Sequence, residues 1–95
     1  MVFIHGIGGN KSNWHRQMEA LAERFSVHAW DARGYQESDD YDGPLVFEDF
    51  SHDLCRFLDH LGAEKAHLLG LSMGARVLMD FHHFYSSRIA TLTLC

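Results

Sequence analysis

Residues 70–74 read Gly-Leu-Ser-Met-Gly, and residues 5–12 read His-Gly-Ile-Gly-Gly-Asn-Lys-Ser. The first stretch is a G-x-S-x-G. A serine with small residues two places away on each side suits a sharp strand-to-helix turn, where neighbouring backbone passes close and the hydroxyl is thrown outward. The five-residue pattern is a weak signal alone, and its flanks strengthen it. His67 to Gly70 is an apolar, strand-like run, and an amphipathic helical pattern opens at Met73. A serine at a helix N-terminus sits where free N–H groups and the helix dipole favour developing negative charge.

The second stretch can be read two ways. As a phosphate cradle it needs G-x-x-x-x-G-K-[ST], which lets backbone fold tightly around phosphate oxygens. Lys11 and Ser12 fit that pattern, but His5 and Asn10 stand where its glycines belong. The dinucleotide fingerprint G-x-G-x-x-G fails as well, because Lys11 follows Gly6 and Gly8 at the third glycine position. As an oxyanion loop the stretch needs only to aim an N–H group at the oxygen that a second N–H also faces. Met73, the residue after the serine, supplies one donor, and the Gly6–Ile7 region supplies the other.

Both motifs need a frame that brings them together. Val2 to Ile4, Ser26 to Trp30, Ala66 to Gly70 and Ile89 to Leu94 read as strands. Between the first two, Trp14, Met18, Leu21, Ala22 and Phe25 fall on one helical face. Phe47, Phe50, Leu54, Phe57, Leu58 and Leu61 form the stripe of a second helix, stopped by Gly62. A third runs from about Met73 to Phe84 with Val77, Leu78, Phe81 and Phe84 inward. Pro44 lies in a polar loop. Alternating strands and helices imply an α/β fold, a parallel sheet covered by helices on both faces. If the chain returns after the second strand to lay the third beside the first, the order is 2-1-3-4. Ligands bind beyond the carboxyl ends of the strands where such winding reverses, and both motifs lie at those ends.

With HGIGG, DARGYQESD (Asp31 to Asp39) and GLSMG in this order, the chain resembles the α/β-hydrolase fold family along essentially its whole length. It is most similar to the branch holding small esterases, lactonases, carbon–carbon bond hydrolases and haloperoxidase-like enzymes. The resemblance implies Ser72 as nucleophile, the backbone N–H groups of Ile7 and Met73 as oxyanion hole, a small ester-like substrate and no cofactor. Family members usually carry D-x-R-G-x-G-x-S in the middle motif, and Gln36 here replaces its second glycine. Asp31, Arg33 and Ser38 are read as structuring that loop. Gly6 and Trp14 are candidates for the substrate pocket, with core packing as the other role for Trp14. His5 is read as a packing residue, and Arg76 as lying on a solvated turn.

A serine also needs a histidine base and a carboxylate to orient it, in this fold placed in chain order after the serine. After Ser72 only Asp80, His82 and His83 are available. On a helix rising about 1.5 Å per residue they lie roughly 12–15 Å or more along the axis, out of reach. The family's acid and histidine follow later strands, and its first two strands would precede Met1. Residues 1–95 are therefore read as one partial domain, truncated at both ends and inactive alone. The alternative is a binding or interaction module that kept the fold without the base.

The bulk composition fits an ordinary globular domain, with 46% hydrophobic and 22% charged residues. A net charge of −5 with scattered basic residues argues against nucleic-acid and polybasic membrane contacts. No apolar run approaches a membrane span, and no secretory leader is read at the N-terminus, so the expectation is a cytoplasmic protein with reduced Cys55 and Cys95. The eight histidines show no zinc-type spacing, and no metal site is expected. Ile89 to Leu94 would form a bare sheet edge, through which the isolated chain is expected to self-associate.

Overall fold

A computed structural model describes residues 1–7, 9, 11–33 and 46–95. The readings of Gln36, Ser38 and Pro44 lie outside the described residues. Four strands, β1 (Val2–Ile4), β2 (His28–Trp30), β3 (Ala66–Gly70) and β4 (Ile89–Leu94), alternate with helices α1 (His15–Leu21), α2 (Glu48–Leu61) and α3 (Met73–Tyr85). The sheet order is β2-β1-β3-β4 and every pairing is parallel, which is the order inferred from the sequence. Ile4 pairs with Trp30 on one side and Gly70 on the other, and Gly70 pairs with Leu94. The strands therefore end level, and the loops that follow them share one rim.

Successive side chains of a strand face opposite ways, and β1 uses both faces. Val2 and Ile4 join the main core with Phe50, Leu54 and Leu58 of α2 and Val77, Leu78 and Phe81 of α3. Phe3 points to the other face, where the ring of Trp14 stacks on it with centroids 5.1 Å apart. β1 is buried on both sides because it lies between two strands and two helical layers. That is why Val2-Phe3-Ile4 is an unbroken apolar run rather than an alternating one.

The helices differ from their sequence patterns in two places. Trp14 does not start α1. It ends a 3-10 turn, Lys11–Trp14, and α1 runs only to Leu21, whose carbonyl accepts from both Arg24 and Phe25 N–H groups. The chain has left the helix before Phe25, which is exposed and meets His67 edge-on instead of joining a helical stripe. On α3, Val77, Leu78 and Phe81 are fully buried but Phe84 is 42% exposed. The inner stripe continues from Phe81 to Tyr85, four residues on, and Phe84 falls on the flank against His52.

α2 ends as its sequence implies. Gly62 takes φ 71° and ψ 20°, and its N–H and that of Ala63 close on Asp59 and Leu58 carbonyls. Arg88 then fixes the following turn by donating to the Ala63 and Glu64 carbonyls, at 2.8 and 2.7 Å, while pairing with Asp59. β4 is an outer strand with Thr91 and Thr93 exposed.

Candidate active site

Ser72 stands between β3 and α3 at φ 54°, ψ −110°, the one non-glycine residue with positive φ among the described residues. A side chain there costs on the order of 1–3 kcal/mol and persists only where surroundings impose it. Here both neighbouring strands impose it. Leu71 N–H donates to the Ile4 carbonyl of β1 at 3.1 Å. On the other side Ser72 N–H donates to the Cys95 carbonyl, and Cys95 N–H to the Gly70 carbonyl, each at 2.9 Å. The turn closes with Gly74 N–H on the Leu71 carbonyl at 2.9 Å.

The two flanking glycines are steric necessities. A Cβ on Gly70 would lie 2.5 Å from the Gly74 carbonyl carbon and oxygen, and one on Gly74 would lie 2.3 Å from the Ile4 carbonyl oxygen. The first turn of α3 is thus pressed against the end of β3 and against β1. Ser72 is the N-cap residue of α3, a place where serine usually bonds the helix's free N–H groups. It makes no such side-chain bond, and the residue is exposed. Its hydroxyl is thus left out of helix capping.

The glycine-rich loop lies against this serine. A Cβ on Gly6 would sit 3.3 Å from Ser72 Cβ and 3.9 Å from Ser72 Oγ. Gly9 N–H donates to the Gly6 carbonyl at 3.0 Å, closing a turn with Ile7 at its corner, where Ile7 is 80% exposed. The sequence candidates Gly6, Ile7, Ser72 and Met73 are thereby brought to one rim of the sheet. Met73's side chain is buried in the core, so only its backbone can serve the rim. Trp14 is 6% exposed and packed on Phe3; of its two candidate roles, its surroundings describe packing.

His5, Asp31 and Arg33 read as structural in the sequence, which does not say what they hold. His5 is fully buried, with Nε2 accepting from Ala32 N–H at 3.1 Å and Nδ1 2.9 Å from the Gly6 carbonyl. Asp31 accepts the Lys11 N–H at 2.6 Å. Arg33 forks onto Asp53 of α2 at 2.5 and 2.6 Å, and Arg56 joins from the same helix. Burial alone would raise the Asp53 pKa, but hydrogen bonds from Arg33 and Arg56 outweigh it and hold the carboxyl below its ordinary value. The side chain of Arg76 is exposed, lying over the Phe47 ring and paired with Asp80 along α3. Asp80, His82 and His83 follow α3 away from the serine. A cavity lined by Met1, Ser26, His28 and Lys65 opens at the amino ends of the strands, the opposite rim from Ser72.

The alpha/beta hydrolase fold model matches residues 1–95, and the chain belongs to that family. It is 36% identical over 94 residues to the dihydrolipoyllysine-residue acetyltransferase component of the acetoin cleaving system of Pseudomonas putida, covering 99% of this chain and 25% of that protein. Against 3-oxoadipate enol-lactonase 1 of Acinetobacter baylyi the identity is 29%, with 99% of this chain and 35% of the relative covered. A thermophilic esterase from Thermogutta terrifontis superposes with a TM-score of 0.94 at 37% identity, over 99% of this chain and 35% of the esterase. The chain thus spans about a quarter to a third of these relatives. Among its described residues no helix is long and apolar enough to cross a membrane.

Proposed function

We propose that these residues are the nucleophile-bearing part of a serine hydrolase acting on an ester, lactone or related carbonyl substrate. Ser72 Oγ gives up its proton to a base and attacks the carbonyl carbon, and the backbone N–H groups of Ile7 and Met73 hold the oxyanion. The bond from that carbon to the alcohol oxygen then breaks as the oxygen takes up the proton, leaving an acyl-enzyme. Water then releases the acid and regenerates the serine. The observation that carries this reading is the strained Ser72, uncapped and exposed, with Gly6 packed against its side chain. Residues held in strained backbone conformations cluster at active sites and ligand clamps. Lactonase and esterase relatives support the carbonyl chemistry.

α3 carries Asp80, His82 and His83 away from Ser72, so this reading takes the base and its carboxylate from a part of the protein other than α3. On this reading the 95 residues hold a nucleophile and an oxyanion hole and need that base for turnover. The second reading, a binding module without hydrolysis, rests on the placement of Asp80, His82 and His83 along α3, away from the serine. A fluorophosphonate probe applied to the complete gene product separates the two. Stoichiometric capture at Ser72, lost in Ser72→Ala together with turnover of p-nitrophenyl acetate, supports the hydrolase. A folded protein that is neither captured nor active supports the module.

A further inference from the structure

The glycine-rich loop is fastened at both of its feet to two consecutive residues of another strand's end. At the first foot, Ala32 N–H donates to His5 Nε2. An imidazole nitrogen that accepts there is unprotonated, so the ring proton sits on Nδ1 and is donated to the Gly6 carbonyl. That carbonyl also accepts from Gly9 N–H. At the second foot, Asp31 Oδ1 accepts the Lys11 backbone N–H at 2.6 Å, and Lys11 Nζ lies 3.8 Å from Oδ2. Asp31 and Ala32 directly follow β2, the neighbour of β1 on the side away from β3. Between the two feet lie Gly6, against Ser72, and Ile7.

We propose that Asp31 is a positioning residue for the oxyanion hole, acting with His5 to fix the loop whose Ile7 N–H faces the reacting oxygen. The inference rests on the reading of Ser72 given above and adds to it a residue that acts through the loop backbone. The chemistry needs such a fixture. A donor aimed at the oxyanion is effective only if it is held before reaction, and a misplacement of about 1 Å costs on the order of 10²-fold in rate. A short glycine-rich loop has little stiffness of its own. The buried Asp31 carboxylate and the Ala32 N–H that His5 accepts supply it from the end of β2.

The test compares Asp31→Ala and Asp31→Asn in the complete gene product, using p-nitrophenyl acetate kinetics, fluorophosphonate capture at Ser72 and thermal unfolding. Asn keeps an oxygen that accepts the Lys11 N–H, and Ala does not. The expected result is a kcat about 10–100-fold lower in Asp31→Ala with KM within about twofold, matching slow capture, and recovery of most of the rate in Asp31→Asn. If Asp31→Ala does not fold, Lys11→Pro removes the donor from the other side, tolerable at the start of a helical turn, and the same kcat loss is expected. Equal behaviour of the Ala and Asn variants, a rise in KM alone, an unchanged rate, or loss of the fold in both Asp31→Ala and Lys11→Pro would each overturn the proposal. Wild-type capture that survives Ser72→Ala would overturn the reading of the site itself, and the proposal with it.

Discussion

In the complete gene product Gly74→Ala should destabilise the fold and slow the capture proposed for Ser72, although helix propensity argues the reverse. Alanine is favoured over glycine in a helix interior by about 0.8–1.0 kcal/mol, and Gly74 does not need positive φ. The obstacle is space. The new Cβ would stand 2.3 Å from the Ile4 carbonyl oxygen and 2.9 Å from the His5 carbonyl oxygen and the Ile4 carbonyl carbon, all main-chain atoms. Cβ contacts essentially never fall below 3.0 Å, so β1 and the first turn of α3 must separate by about 0.7 Å or more. Overpacking of this kind costs about 1–3 kcal/mol, outweighing the propensity gain. The separation also carries Met73 N–H away from the Gly6–Ile7 loop, for which about a 10²-fold rate loss is expected. Urea unfolding reads the first effect, and the rate of fluorophosphonate capture reads the second. A Gly74→Ala protein at least as stable as wild type and captured at the wild-type rate would refute the steric argument.

Two further outcomes follow from other parts of the frame. Gly62→Ala meets open space but forces φ 71° on a side chain, so it should cost about 1–2 kcal/mol by urea unfolding while leaving Ser72 capture unchanged. Asp53 has its native pKa depressed, so it contributes stability in full above the ordinary carboxylate value. That contribution declines as pH falls below this value and through the lowered one. Asp53→Asn should accordingly be less stable than wild type at neutral pH and show a flatter acid limb in a pH series of unfolding free energies.

The sequence made the frame legible because its signals are local. Gly62 after an apolar stripe, the unbroken Val2-Phe3-Ile4 run and the glycines around Ser72 each answer a requirement of the backbone beside them. The strand order follows from a return of the chain that lays the third strand beside the first, and that order puts both motifs at one rim. Periodicity failed where a helix stopped early or changed kind. Trp14 and Phe25 fit one helical face only if the helix runs through both, and a 3-10 turn and the end at Leu21 prevent that. Phe84 fits the α3 stripe as well as Tyr85 does by spacing, and only the packing against His52 decides between them. The anchoring of the loop by His5 and Asp31 was beyond pattern reading. Its bonds join residues distant in the chain, and nothing in His5 alone says which backbone group it meets.

The central position of β1 has a consequence for the order of events in folding. Val2 pairs with His28 of β2 across a helical connection, whereas its partner on the other side, Leu68, lies much farther along the chain. Contacts of such long sequence separation are slow to form, because the loop must close before they are rewarded. During synthesis β1 therefore presents one unpaired edge, a surface open to wrong partners, until β3 arrives to cover it. The arrival of β3 is also what brings Ser72 to Gly6. Closure of the sheet and assembly of the Ser72–Gly6 contact are then one event.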